Sequence, residues 1–172
     1  SLSAFGKNLI EGILKIAIFI GYTALTALTK DIRRTYEYHG AEHKTIACYE
    51  HEEELTVENV KKYTRFHPRC GTSFIFLVLF ISIFVNTIFR VSWASILLRV
   101  VIKIALLPIV TGIAYELIRL AGKYDNIFTK IISAPGLWIQ RITTSEPDES
   151  QIECAIAALK ACIPENKEDD KW

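Results

Sequence analysis

Apolar residues in this chain fall in long blocks rather than alternations, and the longest block runs from Gly71 to Phe89, 19 residues without a charge. At about 1.5 Å rise per residue such a helix nearly crosses a hydrocarbon core of roughly 30 Å. A second block follows. Val100 to Tyr115 is apolar except for Lys103 and contains Pro108 and Gly112. Its expected limits are Ile96 and Ile118, with Arg99 and Lys103 on one face near one end, where they can snorkel. An earlier block, Ile16 to Thr29, is uncharged over only 14 residues between Lys15 and Lys30. Extending it back to Phe5 takes in Lys7, Glu11 and Lys15, of which Glu11 and Lys15 can pair at i,i+4. The alternative there is an amphipathic helix lying in the membrane interface. The pattern therefore predicts an all-α integral membrane protein with about three transmembrane helices and a helical cytoplasmic loop and tail.

The stretches between these blocks also read as helical. Arg34 to Glu50 lacks proline, and Thr56 is placed to cap a short helix, Val57 to Arg65, ending before Pro68. Thr72 or Ser73 is a candidate cap for the 71–89 helix. After the last span, Lys123 to Thr144 is apolar with an expected break at Pro135-Gly136. Pro147 then opens a helix with Ile152, Ala155, Ile156, Leu159 and Ile163 on one face. That face is expected to pack on the cytoplasmic domain, with a membrane-surface helix as the runner-up. The charged end, 164–172, is expected to fray. The expected organisation is 1–29, a first membrane or interfacial helix; 30–70, a His-rich helical loop; 71–118, a two-helix membrane hairpin; and 119–172, a tail with an amphipathic helix.

Three spans put residues 30–70 and the tail on one side. That loop holds eight basic residues (Lys30, Arg33, Arg34, Lys44, Lys61, Lys62, Arg65 and Arg69), and Arg119, Lys123, Lys130 and Arg141 follow the last span. The other side has little beyond Lys7, Arg90 and Arg99. The positive-inside rule then predicts a multi-pass membrane protein with loop and tail in the cytoplasm.

Composition agrees. The 172 residues are 51% hydrophobic and 23% charged, with a mean hydropathy of +0.25; only segregated blocks reconcile those values. The net charge of +1 and the lack of a basic run with interleaved aromatics argue against a nucleic-acid partner. The expected partners are the lipid bilayer and other membrane proteins. Cys48, Cys70, Cys154 and Cys162 form no C-x-x-C pair, which fits a reducing compartment rather than a disulfide framework. The chain starts Ser1-Leu2-Ser3 without methionine, as a trimmed or partial chain would, and without the basic region and cleavage site of a signal peptide.

All four histidines lie between residues 39 and 67. The sharpest motif is His39-Gly40-Ala41-Glu42-His43. On a helix His39 and His43 share a face one turn apart and can bind one divalent metal, while Glu42 stands beside them as the candidate catalytic base for a water on that metal. The same order, H-x-x-E-H, occurs in inverted zinc peptidases. His67 and Cys70, in His67-Pro68-Arg69-Cys70, and Glu116 of the last span are the further candidate ligands. A thiolate favours a borderline ion, so the expected cofactor is a divalent transition metal, zinc foremost. Each has a plainer alternative: Glu116 paired with Arg119, His67 at a helix end, Cys70 as a small core residue. His51, among Glu50, Glu52, Glu53 and Glu54, reads as a solvated surface histidine.

Three segments together carry a family resemblance: Tyr38 to Ile46, Leu55 to Val60, and His67-Pro68-Arg69-Cys70-Gly71-Thr72-Ser73. They resemble the YqhQ-like bacterial membrane proteins, a family of unknown function described as predicted metal-dependent enzymes. Tyr115-Glu116, Pro135 to Gln140 and Glu146-Pro147-Asp148 extend the resemblance from about Asn8 to Leu159. The family usually carries a Gly-rich segment and more hydrophobic sequence upstream. The resemblance implies a metal-dependent enzyme without naming a reaction. The residues themselves support a metal-dependent hydrolase first and, as the alternative, a non-catalytic structural or accessory component of a membrane complex such as transport or insertion machinery. A transporter rests only on Glu116 and the Pro- and Gly-interrupted last span.

Overall fold

The computed structural model describes residues 4–88, 95–124 and 126–164. Among the described residues the chain is all-α: α1 Ala4–Thr26, α2 Lys30–Glu50, α3 Val57–Lys61, α4 Gly71–Ile88, α5 Ile96–Lys123, α6 Ile127–Thr143 and α7 Glu149–Cys162. It divides into two compact units, residues 1–22 with 68–136, and 23–67 with 137–172.

The first unit is apolar. Two of its helices are long and apolar enough to cross a bilayer, Phe5–Thr26 and Ile96–Lys123, and only 11% of either one's apolar window is buried inside the protein. Leu97, Ile104 and Ile18 are each more than 60% exposed, so these helices present apolar side chains outward along their length. The helix of 5–26 is longer than the uncharged stretch 16–29 predicts. Its charges are matched: Glu11 Oε1 lies 2.7 Å from both Lys15 Nζ and Lys103 Nζ. Asn8 donates to the Asn86 carbonyl at 3.3 Å, and Gly12 lies against Ile83, where a Cβ would come within 2.4 Å. The 71–89 block forms an 18-residue helix, α4, while Phe89 and Arg90 lie outside the described residues. α4 packs on α5 through Val85, Leu106 and Val110.

The second unit is a small helical domain in which α7 lies on α2 and α3. Its core is Ala41, Cys48, Val60, Ile152 and Ile156, so the apolar face predicted for the helix after Pro147 does pack on the loop. α7 starts in a capping box: Asp148 accepts from the Gln151 N–H, and Gln151 accepts from the Asp148 N–H, both at 2.9 Å. Thr56 caps α3 by accepting from the Asn59 N–H at 3.3 Å. Gly40 of α2 touches the chain entering α7: a Cβ there would sit 2.1 Å from the Ser145 carbonyl oxygen.

Three local expectations change. α3 ends at Lys61 rather than Arg65, because the following backbone turns to serve the histidines. Thr72 and Ser73 lie inside the first turn of α4, which begins at Gly71. Pro135-Gly136 does not break the chain; α6 continues through it. An internal proline costs about 3 kcal/mol. Packing offsets that cost here, since Gly136 fits against Ser73, where any Cβ would come within 2.6 Å.

Candidate metal centre

α2 carries His39 and His43 one turn apart, as the H-x-x-E-H spacing requires. Their rings meet edge-on with centroids 4.3 Å apart, and His43 is 3% exposed. His67 follows, 4% exposed, its ring centroid 5.8 Å from that of His43.

The rings are oriented by backbone carbonyls. His39 Nδ1 lies 2.8 Å from the Thr143 carbonyl oxygen, and His43 Nδ1 lies 2.7 Å from that of Arg65. A carbonyl only accepts. In the neutral rings the proton therefore sits on Nδ1 and donates, which puts the lone pair on Nε2 of both histidines. This is the outer-shell arrangement that fixes tautomer and ring angle in metal-ligating histidines.

The carbonyls are themselves held. The Arg65 guanidinium donates to the Thr144 carbonyl and hydroxyl and lies 3.4 Å from the Glu146 carboxylate. Buried Lys44 reaches Glu146 at 2.8 Å. His67 is clamped by Gln140, whose side-chain oxygen accepts from the His67 N–H at 2.8 Å and whose side-chain N–H donates to its carbonyl at 2.7 Å. The ring Nε2 of His67 stands 3.2 Å from a Glu50 carboxylate oxygen.

His39 and His43 are two of the candidate ligands on one helix, their rings one turn apart. Cys70 is buried, with its sulfur 2.8 Å from the Thr72 hydroxyl. Two imidazoles on one helix, and the Cys70 thiol three residues after His67, are donors of the kind that zinc and its neighbours take. Glu42, exposed on α2, is outside that group. Glu116 is exposed on α5, its carboxylate 3.7 Å from Arg119.

Other candidates have structural duties. His51 is exposed, with Nδ1 2.7 Å from the Ala47 carbonyl. Cys48 is a core residue; burial first, and the nearby Glu53 second, push its thiol above the usual range. The site residues beyond the sequence reading are Glu50, Gln140, Arg65 and the Thr143 carbonyl. A backbone carbonyl leaves no sequence signal. Gln140 and the supporting Glu146 do fall in the segments 135–140 and 146–148 that carry the resemblance.

A family model described as "Protein of unknown function (DUF1385)" matches residues 1–165. The chain is 42% identical over 155 residues to "Uncharacterized protein YqhQ" of Bacillus subtilis (strain 168). The match covers 90% of this chain and 48% of that protein, so the chain spans about half the length of the curated relative it matches. No solved structure matches.

Proposed function

The chain belongs to the DUF1385 family of proteins of unknown function, and we propose that it is a bacterial membrane protein whose cytoplasmic face binds a divalent transition metal, zinc by its donor set, through His39, His43 and Cys70. The observation that carries this reading is the pair of Nδ1–carbonyl hydrogen bonds, which puts the lone pairs of two rings one turn apart on their Nε2 atoms. In this reading α1, α4 and α5 span the membrane. The basic loop then stays in the cytoplasm with the tail.

Three protein ligands leave a coordination position open, the feature of catalytic rather than structural zinc. A metal held there would supply Lewis acidity and lower the pKa of a bound water. Glu42, next to His43 and facing solvent, would take the proton, and the Glu50 carboxylate would orient His67. The reaction class is metal-assisted hydrolysis.

A second reading has one observation in its favour. Buried His67 has its ring centroid 5.8 Å from that of His43, and a ring turned from Glu50 toward His43 would add a fourth ligand. A closed shell would make the ion structural and the protein an accessory component of a membrane complex.

Elemental mass spectrometry of detergent-purified protein that has never met a nickel column tests both. About one zinc per chain, lost in His39→Ala/His43→Ala, is the expected result. No metal in the wild type after zinc addition and dialysis overturns the site. Metal retained by His67→Ala favours the open site, and metal lost favours the closed one. Glu42→Gln is expected to keep its metal; losing it would make Glu42 a ligand.

A further inference from the structure

Buried and exposed positions divide around α6. Thr129, Gly136, Ile139, Gln140 and Thr143 are buried, and their spacing of three, four and seven puts them on one side of the helix. Gly136 against Ser73 and Gln140 on the His67 backbone hold that side inward. The opposite side is apolar and open. Ile127 is 76% exposed, Phe128 61%, Ile131 64% and Trp138 52%, with Ala134 exposed among them. α2 and α7 differ: they turn charges outward, Arg33, Arg34 and Glu42 on one, Glu149, Glu153 and Lys160 on the other. α6 has no acidic residue. Its two basic residues, Lys130 and Arg141, are exposed, and their spacing of eleven puts both along one edge of the apolar stripe. An apolar stripe edged by cations is the pattern of a helix lying in a membrane interface, where the cations reach lipid phosphates.

The place where α6 begins says what covers the stripe. Three residues separate Lys123, the end of α5, from Ile127. Thr129 holds that turn: its hydroxyl donates to the Tyr124 carbonyl at 2.8 Å and accepts from the Asn126 N–H at 3.1 Å. The Asn126 side chain accepts from the Thr129 N–H at 2.9 Å. With α5 as a span, α6 starts where the chain leaves the bilayer, and Tyr124 is exposed there, as aromatic residues at a membrane edge are. Pro135 argues against a deeper position. It has no N–H for the Ile131 carbonyl one turn earlier, and water in the headgroup layer can serve that carbonyl where hydrocarbon cannot. A second copy pairing stripe to stripe would bring the cations of two α6 helices together with no acid in either helix to answer them.

We propose that α6 lies along the cytoplasmic surface of the membrane with Ile127, Ile131 and Trp138 in the lipid interface. The proposal rests on the reading of α1, α4 and α5 as spans. Trp138 reports on it directly. In the whole chain carrying Trp93→Phe and Trp172→Phe it is the one tryptophan left. The protein would be reconstituted into vesicles of phosphatidylcholine and phosphatidylglycerol with brominated acyl chains. Trp138 should lose emission to bromines near the headgroups and much less to bromines at the chain ends. Ile131→Glu, a change on the exposed face, should reduce that loss and shift the emission to the red.

Stronger quenching by chain-end bromines would place α6 inside the bilayer and overturn the proposal, as would quenching unchanged by Ile131→Glu. Emission untouched by either bromolipid also overturns it: acrylamide quenching would then mark a helix in water, and protection from acrylamide one covered by a second copy. Moving the tryptophan to Ile109, 52% exposed and midway along α5, separates the two levels. In Ile109→Trp with Trp138→Phe, quenching by chain-end bromines beside an unquenched Trp138 refutes the placement of α6 alone. No quenching at either position refutes the membrane reading beneath it.

Discussion

Gln140 pairs with both backbone polar groups of His67, accepting from its N–H at 2.8 Å and donating to its carbonyl at 2.7 Å, and is itself fully buried. One side chain thereby does for the 62–70 connection what a neighbouring strand does in a sheet. A segment without regular structure needs such a partner, since buried backbone groups left unpaired cost about 1–3 kcal/mol each. Gln140→Leu should destabilise the protein by about 2–4 kcal/mol, read as a lowered midpoint of chemical unfolding. Gln140→Glu would bury a carboxylate against the His67 carbonyl, so it should destabilise at least as much as Leu. A Leu variant as stable as the wild type would refute this role.

Gly40→Ala separates helix propensity from packing. Alanine is favoured over glycine inside a helix by about 1 kcal/mol. Here the new Cβ would stand 2.1 Å from the Ser145 carbonyl oxygen, and Ser145 is pinned through its N–H to the Tyr36 carbonyl at 2.9 Å. Neither backbone can yield cheaply. Net destabilisation of about 1–3 kcal/mol is expected, and a raised Tm would show that the two segments separate readily.

The four cysteines should divide by reactivity. Cys154 and Cys162 are exposed, whereas Cys48 and Cys70 are buried. Cys48 is further slowed because burial raises its thiol pKa and so depletes the thiolate. Maleimide labelling followed by peptide mapping should mark Cys154 and Cys162 first and Cys48 only on unfolding. Cys70 labelling should slow when zinc is added; zinc-independent labelling would remove Cys70 from the ligand set.

Asp148 gives a pH signature. The Ser150 hydroxyl and then the Gln151 N–H hold its carboxylate below the usual range. A depressed folded pKa means that the cap's contribution is complete above the unfolded value, about 3.9, and is lost as pH falls through the folded value. Wild-type Tm should therefore drop below about pH 4 more steeply than that of Asp148→Asn, whose amide oxygen accepts at every pH. Equal slopes would show that the cap does not stabilise α7.

Sequence by itself determined the helical class, the apolar blocks and the pairing of His39 with His43, because each depends on spacing along one helix or on the length of an uncharged run. Short-range cap chemistry was legible too: Thr56 caps α3 as expected. What lay beyond reading depended on residues far apart in the chain. Glu11 is tolerable in a long apolar helix because Lys103, 92 positions away, joins Lys15 on it. Pro135 lies inside an unbroken α6, where Gly136 lies against Ser73, 63 positions away. The candidate metal site shows the division most clearly. The motif names two imidazoles, but which nitrogen of each carries the lone pair is decided by the carbonyls of Thr143 and Arg65. A carbonyl is present at every position of every sequence, so only tertiary structure can bring the right one to a ring.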